Sequence, residues 1–341
     1  MKAWVIDRLG PIDPDASEGP LALVERPLPE PGPGELRLKV AACGVCHTEL
    51  DEIEGRTAPP RLPVVPGHEV VGRVDKAGPG AGRYAPGTRL GVGWIHRSCG
   101  GAHENLDPAF EATGRDADGG YAEYMLVPEA YAVPIPDTLD DVEAAPLLCA
   151  GAVGWRALKL TGLEDGQVLG LTGFGGSAHL VLPVVRHRFP KAKVMVFARD
   201  AEARAFALEQ GADWAGATEQ RPPEPCHAII DTTPAWTPVV EALASLRPGG
   251  RLVINAIRKE EADKAALLRL SYAEHLWLER EIKTVANVTH ADLTEFLALA
   301  GALKLAPTVE RYPLARANEA LRALRRGRIK GAKVLTVGDA R

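Results

Sequence analysis

The chain has 341 residues, of which 46% are hydrophobic and 25% charged, and its formal net charge is −5. It has no apolar run near the roughly 20 residues of a membrane span and no block of like charge, which excludes a membrane protein and an electrostatic nucleic-acid binder. The length is about twice that of a typical single domain, so two domains with separate cores are predicted.

The first residues and the cysteines indicate a cytoplasmic protein. Residues Met1–Gly10 mix Lys2, Asp7 and Arg8 with apolar positions, and no long apolar segment is followed by a small-residue cleavage site. Five cysteines are too few, and odd in number, for a disulfide framework. We therefore expect free thiols in a reducing compartment, available for metal binding or catalysis.

The composition also predicts heat stability. The chain has 28 Pro and 3 Met, and it has only four Asn and three Gln. Few thermolabile residues and many prolines are typical of heat-stable proteins. A GC-rich genome, which favours Ala, Arg, Gly and Pro codons, is the alternative explanation of the same bias.

The first 140 or so residues predict a β-rich region. Short apolar stretches are separated by Pro and Gly at intervals of about 8 to 12 residues, as in all-β domains. The predicted strands include Glu35–Ala41, Glu69–Val74 and Tyr121–Val127.

From Gly166 onward, strands alternate with helices, which predicts a parallel, doubly wound sheet. The predicted strands are Gln167–Leu171, Lys193–Phe197, His227–Asp231, Arg251–Asn255 and Ile282–Ala286. The predicted helices are Ala178–Arg188, Ala201–Leu208, Pro238–Leu246, Asp292–Leu303 and Arg316–Arg325. A short apolar segment, Val334–Val337, follows the last helix.

Three candidate metal ligands stand in three separate motifs. Cys46 lies in CGVCHTEL (43–50), His68 in PGHEVVGRV (66–74) and Cys149 in AAPLLCAGAVGWRAL (144–158). A lone Cys or His is more often a structural or solvent-facing residue than a ligand. The three motifs in this order, however, resemble the zinc-dependent medium-chain alcohol dehydrogenases, and the resemblance extends from about Val5 to Val337.

The resemblance implies that Cys46, His68 and Cys149 hold a catalytic zinc. Two thiolates and one imidazole leave a tetrahedral zinc with a fourth position for water or a substrate oxygen. Zinc lowers the pKa of a bound water from about 16 to roughly 7, and an alcohol should follow the same logic. The resemblance also implies that Glu69 lies behind the metal and can transiently replace water, whereas an ordinary salt-bridged glutamate is the alternative.

A second, structural zinc is expected to be absent. Most members of the family carry four cysteines in a pattern similar to CGxCxxCxxGxENLC, whereas this chain has CGGAHENLD (99–107), with Asp107 at the last position. A closed structural site needs four ligands. A degenerate site of Cys99, His103 and Asp107 is the alternative to a solvated loop. Cys43, at CxxC spacing from Cys46, is expected to be a small buried side chain.

A dinucleotide-binding turn follows the first strand of the doubly wound region. Residues 173–178 fit G-x-G-x-x-G/A, and the motif gains its meaning from its position between a predicted strand and a predicted helix. Gly173 permits the tight turn, Gly175 lets a pyrophosphate approach the backbone, and Ala178 allows close helix packing. The candidate cofactor contacts in this turn are Gly173, Phe174, Gly175, Gly176, Ser177 and Ala178.

The second strand of this region predicts NADP rather than NAD. An acidic residue at its end would bond the ribose of NAD, but the expected position holds Ala198, followed by Arg199. Asp200, shifted by one or two positions, keeps NAD open as the alternative. The resemblance implies a pyrophosphate contact for His47. Further contacts are expected at the strand ends, which line the crevice of such a fold: Thr232, Asn255, Ala256 and Ala286.

Residues near the first motif predict proton transfer and a substrate pocket. Thr48 matches the Ser or Thr that accepts the alcohol proton in this family, and a hydroxyl can donate and accept at once. Asp51 stands where many members have a histidine that extends this relay, and Glu49 replaces the Asp that braces the zinc-binding histidine. Trp94 aligns with a position that narrows the alcohol pocket, which favours slim primary or flat aromatic alcohols; plain core is the alternative.

Together these residues predict a zinc-dependent, NAD(P)-linked alcohol dehydrogenase or aldehyde reductase acting on primary alcohols, aliphatic or aromatic. The expected α/β fold has a GroES-like β-rich catalytic domain, residues 1–150 and 287–341, and a doubly wound Rossmann domain, residues 151–286. One catalytic zinc per chain, a small-molecule alcohol or aldehyde, and a homo-oligomer (dimer or tetramer) complete the prediction. A zinc-free quinone or enone reductase of the same fold and a non-catalytic nucleotide-binding protein are the alternatives.

Overall fold

The computed structural model describes residues 1–16, 18–327 and 331–338. Contacts between Cα atoms divide the chain into two compact units. The first unit is Met1–Ala152 with Val288–Arg341, and the second is Val153–Asn287. Among the described helices, none is both long enough and apolar enough to cross a membrane.

The two units differ in secondary structure. Over the described residues, the strands in chain order are β1 (Lys2–Val5), β2 (Ala22–Glu25), β3 (Glu35–Val45), β4 (Val70–Ala77), β5 (Arg89–Val92), β6 (Ile95–Arg97), β7 (Glu111–Ala112), β8 (Tyr124–Pro128), β9 (Ala132–Pro134), β10 (Val168–Thr172), β11 (Lys193–Phe197), β12 (Trp214–Gly216), β13 (Cys226–Asp231), β14 (Leu246–Ile254), β15 (Glu281–Thr284), β16 (Val309–Pro313) and β17 (Ala332–Thr336). The α-helices are α1 (His47–Ile53), α2 (Asp141–Pro146), α3 (Ala152–Thr161), α4 (Ala178–Arg188), α5 (Ala201–Glu209), α6 (Thr237–Ser245), α7 (His290–Leu303) and α8 (Ala317–Arg325).

The first unit is built on a sheet in the order β16-β17-β3-β4-β5-β9, with β8 beside β3. All pairings in it are antiparallel except that of β16 with β17. Its core contains the fully buried side chains of Leu36, Leu38, Leu90, Tyr121 and Met125. The β-rich region predicted from the Pro and Gly spacing is therefore confirmed, and the C-terminal strands β16 and β17 complete it.

The pairing of β3 with β4 positions the first metal motif beside the second. These strands are antiparallel, and Cys43 lies opposite Val70. The end of β3 and the start of β4 are therefore at the same end of the sheet. Cys46 directly follows β3 and His68 comes two residues before β4, so two ligands 22 positions apart in sequence meet at one sheet end.

The second unit contains a six-stranded sheet in the order β12-β11-β10-β13-β14-β15. All five of its pairings are parallel. Every residue of β10 is buried, as expected for a central strand covered on both faces. In order of sequence these strands stack as 3-2-1-4-5-6, which is the doubly wound arrangement, so the predicted α/β class is confirmed.

A few element boundaries differ from the prediction. The third strand of the parallel sheet, β12, has only three residues and was not expected. The helix predicted to reach Leu246 ends at Ser245, because β14 begins at Leu246. The strand predicted at Ile282–Ala286 is Glu281–Thr284. Such shifts arise where partner strands, rather than local propensity, decide which residues join a sheet.

Candidate functional site

Four side chains of the first unit form a compact group of potential metal ligands: Cys46, His68, Glu69 and Cys149. Their ligand atoms all lie within 4.8 Å of one another. His68 and Glu69 are buried, and the two cysteines are partly buried. Over residues 1–16, 18–327 and 331–338, no other set of three or more His, Cys, Asp or Glu side chains has this proximity.

Glu49 joins two of these ligands. Cys46 immediately precedes α1, and its backbone N–H donates to Oε2 of Glu49 at 2.7 Å. The other carboxylate oxygen, Oε1, lies 2.6 Å from Nδ1 of His68. With Nδ1 facing a carboxylate, Nε2 is the nitrogen left for a metal, and it has no hydrogen-bond partner among the described residues. The carboxylate thus fixes the orientation of the imidazole.

Cys149 is supplied by a π-helical turn, Leu147–Gly151, which follows α2. Pro146, the last residue of α2, has no N–H to donate to the regular helix pattern. The wider π turn changes the direction of the side chains at this point, and such turns often occur at functional sites. Sγ of Cys149 lies 3.9 Å from Sγ of Cys46.

The donor set fits zinc. Zinc bonds of about 2.0–2.3 Å in a tetrahedron place ligand atoms roughly 3.3–3.8 Å apart, close to the observed sulfur–sulfur separation of 3.9 Å. Two thiolates and a neutral imidazole would also balance the two charges of the ion. The buried Nε2 of His68, which has no partner in the described chain, gains one when a metal binds.

Charges and burial shift the pKa of each member of this group. The hydrogen bond between the thiols holds the pKa of Cys46 well below its usual value and raises that of Cys149. Burial alone would lower the pKa of His68, but the charges of Glu49 and Cys46 outweigh it and raise the pKa. A thiolate at Cys46 is the form that a metal binds.

Glu69 lies directly over Gly44. A Cβ built at position 44 would be 1.6 Å from Oε2 of Glu69, so only glycine leaves room for this carboxyl group. The backbone N–H of Gly44 also donates to the carbonyl of Glu69 at 2.9 Å. Burial raises the pKa of Glu69 well above its usual value. Its carboxyl oxygen is the fourth potential ligand atom, next to the two sulfurs and the imidazole.

Two further residues named from the sequence lie at the start of α1. The hydroxyl of Thr48 is 3.6 Å from Sγ of Cys46, and the side chain is buried. His47, the first residue of the helix, is exposed. The helix therefore presents a hydroxyl beside the metal-ligand group and an imidazole to solvent.

Trp94 lies beside the same group. Its ring centroid is 6.3 Å from that of His68 in an edge-on arrangement and 5.5 Å from that of Phe110. The guanidinium of Arg115 stacks over the Trp94 ring at 5.5 Å. The contacts with Phe110 and Arg115, which the sequence did not predict, make an aromatic surface next to the candidate metal site.

The other thiols of the first unit lie apart from this group. Cys43 is fully buried, with Sγ packed against Gly67 and Gly120. This confirms the expected small buried side chain. Cys99 is exposed, and the loop it begins leads into a short 3₁₀ turn at Glu104–Leu106.

The glycine turn of the second unit has the expected backbone. Gly173 follows β10 directly and has φ of +75°, a conformation that other residues rarely adopt. A Cβ at Gly175 or at Gly176 would meet no atom within 4 Å. Packing against the described residues therefore does not require glycine at 175 and 176, and the backbone there borders open space. Ala178 is fully buried at the start of α4.

Phe174 and Ser177 complete the turn in different ways. The ring of Phe174 is buried against Phe206, with 5.6 Å between the ring centroids, so its side chain packs within the fold. Ser177 precedes α4 and is partly buried. Arg199, after β11, is 91% exposed in its side chain and makes a long ion pair of 3.7 Å with Asp200.

The remaining predicted cofactor contacts lie after strands β13, β14 and β15. Thr232 donates its hydroxyl to the carbonyl of Thr172 at 2.9 Å. The side-chain amide of Asn255 is buried and has no hydrogen-bond partner within the described chain. Ala256 is partly buried and Ala286 is exposed. All four are at the carboxyl edge of the parallel sheet, the edge at which such folds bind nucleotides.

Sequence reasoning missed two charged residues at this edge. Asp231, the last residue of β13, is fully buried, and Lys259 pairs with it. The acid was visible in sequence as the polar end of an apolar strand. Its partner lies 28 residues further along the chain, beyond the reach of any local pattern.

Comparison with known proteins identifies both units. Residues 32–137 match the family model of the alcohol dehydrogenase GroES-like domain, and residues 206–335 match that of zinc-binding dehydrogenases. A probable alcohol dehydrogenase of Mycobacterium tuberculosis is 42% identical, covering 99% of this chain and 97% of that protein. A probable cinnamyl alcohol dehydrogenase of Oryza sativa subsp. japonica is 32% identical over 89% and 88%.

A solved structure agrees with these relatives. The crystal structure of an NAD-dependent alcohol dehydrogenase superposes with a TM-score of 0.85 at 26% identity, covering 99% of this chain and 100% of that one. The matches span both units, and the motifs around Cys46, His68 and Cys149 fall into one metal-ligand group. The chain is an oxidoreductase and belongs to the zinc-type medium-chain alcohol dehydrogenase family.

Proposed function

We propose that this chain interconverts primary alcohols and aldehydes with one zinc ion, held by Cys46, His68 and Cys149, and with NADP in preference to NAD. The observation that carries the proposal is the group of four ligand atoms within 4.8 Å of one another. Neither a zinc-free reductase nor a non-catalytic nucleotide-binding protein needs a metal, so neither alternative explains why these four ligand atoms lie together.

The zinc-binding residues act as a preoriented cradle. Zinc, when bound, supplies a Lewis acid that polarises a substrate oxygen. Glu49 keeps His68 in the tautomer and orientation that offer Nε2, through the 2.6 Å contact at Nδ1. Glu69, whose carboxyl oxygen lies within 4.8 Å of the other three ligand atoms, would offer a carboxylate at the fourth position when no substrate occupies it.

Thr48 is the proposed first proton acceptor. Its Oγ1 lies 3.6 Å from Sγ of Cys46, so a hydroxyl stands beside the residues that would hold the zinc. A hydroxyl takes a proton from an alcohol while donating its own onward. The carboxylate of Asp51, in the position of the family's relay histidine, is paired with Arg56. We therefore infer that the relay does not continue through Asp51.

The preference for NADP rests on the end of β11. Nicotinamide, when bound, supplies the hydride acceptor or donor. Ala198 offers no carboxylate to the adenosine ribose, and the exposed side chain of Arg199 is available to a 2′-phosphate. Asp200 is exposed and next to Arg199, so its charge would favour NAD only if Arg199 were turned away.

The aromatic surface next to the metal-ligand group supports a slim or flat substrate. Trp94 and Phe110 are in ring contact beside His68. Such a wall accepts an extended alkyl chain or an aromatic ring and restricts branched carbons near the hydroxyl. We therefore propose primary alcohols, including aromatic ones of the kind suggested by the name of the rice relative.

A single zinc per chain is proposed because the family's structural-zinc loop is shortened here. Cys99 is exposed, and Asp107 accepts from the backbone N–H of Ala109 at 2.9 Å. This bond and a hydrogen bond to Cys99 lower the pKa of Asp107. Its carboxylate therefore serves the turn itself.

Association into a homo-oligomer is proposed through the edge of the parallel sheet. β15 pairs with β14 alone among the described strands, and all four of its residues are exposed. Leu268 and Trp277, nearby in sequence, are 89% and 53% exposed. An open strand edge with apolar neighbours is a template for a second copy of the same edge. An Ile282→Lys variant should shift the mass measured by light scattering toward the monomer.

The remaining proposals concern domains, location and heat stability. We propose domain boundaries near residues 150 and 286, which the contact division at 152/153 and 287/288 supports. A cytoplasmic location is supported by the free thiols. Heat stability is supported by an ion-pair network in which Arg56 bridges Asp51 and Glu54, and Arg325 reaches Glu54 at 3.2 Å.

Elemental analysis of the purified protein tests the central proposal. The expected content is one zinc per chain, reduced to near zero in Cys46→Ser and unchanged in the matched control Cys99→Ser. When zinc is removed from the wild-type protein with a chelator, alcohol oxidation with NADP should be lost. It should return when zinc is added back. Two zinc ions per chain, or a Cys46→Ser protein that keeps its zinc, would contradict the assignment.

A further inference from the structure

A buried ion pair lies at the carboxyl edge of the parallel sheet, between Asp231 and Lys259. Asp231 is fully buried at the end of β13, and the Lys259 side chain is 9% exposed. Lys259 lies in the loop after β14, the strand that pairs with β13. Two opposite charges are thus removed from water at the edge proposed to bind the dinucleotide.

Both partners use their hydrogen-bonding capacity within the protein. Asp231 accepts from the hydroxyl of Thr172, from the backbone N–H of Thr233 at 3.2 Å, from the Thr233 hydroxyl at 2.8 Å and from Lys259. The ammonium of Lys259 donates to Asp231 and to the carbonyls of Thr233 at 2.7 Å and Ala235 at 3.0 Å. No donor remains on Lys259 for a ligand.

The network joins the ends of three adjacent strands. Thr172 ends β10, Asp231 ends β13, and Lys259 extends from the segment after β14. The backbone N–H of Asn255, directly after β14, donates to the carbonyl of Asp231 at 2.7 Å. One carboxylate and one ammonium therefore set the relative positions of the loops on both sides of the switch point between β10 and β13, where this fold class binds its ligand.

The glycine turn packs against the loop after β13. A Cβ built at Gly173 would be 3.0 Å from Oγ1 of Thr232 and from Cγ2 of Thr233. The pyrophosphate-binding turn thus packs against the segment 232–235, whose carbonyls Lys259 holds. If segment 232–235 moved, the glycine turn would lose the packing contact that holds it in place.

We infer that Lys259 is a positioning residue for the dinucleotide, which it does not touch: its ion pair with Asp231 fixes the loops after β10, β13 and β14 in the shape that binds the cofactor. The inference rests on the proposed function, because it assumes that this edge holds NAD(P). Removing the ammonium leaves the buried Asp231 carboxylate without its opposite charge, and the carbonyls of Thr233 and Ala235 without the Lys259 donor. Because this state is costly, the loops are expected to move. Since β10 lies between β13, which ends at Asp231, and β11, which Arg199 follows, the loss should affect NAD and NADP alike.

Calorimetric titration with NADPH and with NADH tests this on the purified protein, without turnover. Lys259→Met should weaken binding of both cofactors by about tenfold, which corresponds to 1.4 kcal/mol. Lys259→Arg, which keeps the cation, should stay within about threefold of wild type. In kinetics, Lys259→Met should raise KM for the cofactor far more than it lowers kcat.

The matched control is Arg186→Met. Arg186 also bonds one carboxylate, Asp213, and the carbonyls of Ala192 and Gly211, but these precede β11 and β12 at the amino edge of the sheet. Its loss should lower Tm and leave cofactor affinity unchanged. If Arg186→Met weakens binding as much as Lys259→Met, or if Lys259→Met binds like wild type, the positioning role is wrong.

A second variant covers the case in which Lys259→Met does not fold. Lys259→Met/Asp231→Asn removes both charges, which restores stability to many buried pairs. It should fold, yet bind both cofactors more weakly than wild type, and wild-type affinity in this variant would refute the inference. Failure of the wild-type protein to bind either cofactor would instead refute the proposed cofactor site.

Discussion

Glu49 contacts His68 through one carboxylate oxygen, at 2.6 Å from Nδ1, while its other oxygen accepts the backbone N–H of Cys46 at 2.7 Å. One side chain therefore aligns two of the three proposed zinc ligands, and burial raises its pKa against the opposing effect of His68. The extra methylene relative to aspartate lets it reach both ligands from the first turn of α1.

Replacing Glu49 should lower the affinity of the site for zinc. Glu49→Gln keeps the shape but weakens the bond to His68, and the affinity for zinc should fall by about 10- to 100-fold. Competition with a zinc chelator measures it. Glu143→Gln is the matched control, because Glu143 makes the same kind of helix-start contact to the backbone of Asp140, at 3.3 Å, away from the metal. Equal zinc affinities in both variants would contradict the bracing role.

Thr48 should control the rate without affecting metal content. Thr48→Ala removes the hydroxyl next to Sγ of Cys46, and kcat for alcohol oxidation should fall by about 100- to 10,000-fold. Thr48→Ser keeps the hydroxyl and should remain within a few-fold of wild type. Steady-state kinetics with zinc analysis of each variant provide the test. An active Thr48→Ala enzyme would exclude the proposed proton acceptor.

Arg199 should decide the choice of cofactor. Its side chain is exposed, and its one ion pair with the described residues is the long contact of 3.7 Å with Asp200, so Arg199→Ala should cost no stability. The KM for NADP should rise by about tenfold, the value of one charge-assisted contact, with that for NAD unchanged. Arg188→Ala, an exposed residue at the end of α4, should change neither. A wild-type preference for NAD would contradict the assignment.

Two glycines of the same turn should respond differently to alanine. Gly173→Ala places a residue with a Cβ at a positive φ, and that Cβ would be 3.0 Å from Oγ1 of Thr232. The free energy of unfolding should therefore fall by about 1–2 kcal/mol. Gly175→Ala meets open space, so Tm should be retained while cofactor binding weakens. Thermal unfolding and calorimetric titration separate the two effects, and a destabilised Gly175→Ala protein would show that the fold itself needs this glycine.

Exposed Cys99 and the buried thiols Cys43 and Cys226 should differ in their reaction with iodoacetamide. Burial raises the pKa of Cys226 to about 12, so about one molecule in 10,000 carries its thiolate at pH 8. Cys43 is buried with a pKa raised in the same way, whereas Cys99 is exposed. Mass spectrometry of the native protein should find Cys99 alkylated and the two buried thiols unmodified. Rapid labelling of Cys226 would contradict its burial.

Local sequence motifs predicted those elements whose structure depends on residues close together in the chain. The strand–glycine–helix order around Gly173 and the boundaries of α4 follow from local pattern, and the bounds of α4 at Ala178–Arg188 are those predicted. The grouping of Cys46, His68 and Cys149 came from the family resemblance, because ligands more than 100 positions apart meet only through the fold.

Contacts between distant segments escaped prediction. The partner of Asp231 could not be found from sequence, since the loop after β14 has no periodic pattern that would turn Lys259 inward. The bracing of His68 by Glu49 was expected, but the second bond, to the backbone of Cys46, depends on where α1 begins. Strand β12 escaped because three residues give too short an alternation to detect.

The strand that leads to Cys46 is completed only by the end of the chain. On one side, Ala42 and Cys43 of β3 pair with β4, and on the other side residues 42–45 pair with β17, in which Lys333 lies opposite Val45. During synthesis, all three proposed zinc ligands leave the ribosome long before β17 does. Until then residues 42–45 lack the partner strand on that side, so the strand that leads to Cys46 is complete only once β17 has been made. The first 152 residues expressed alone would carry every ligand but hold them on an unfinished sheet.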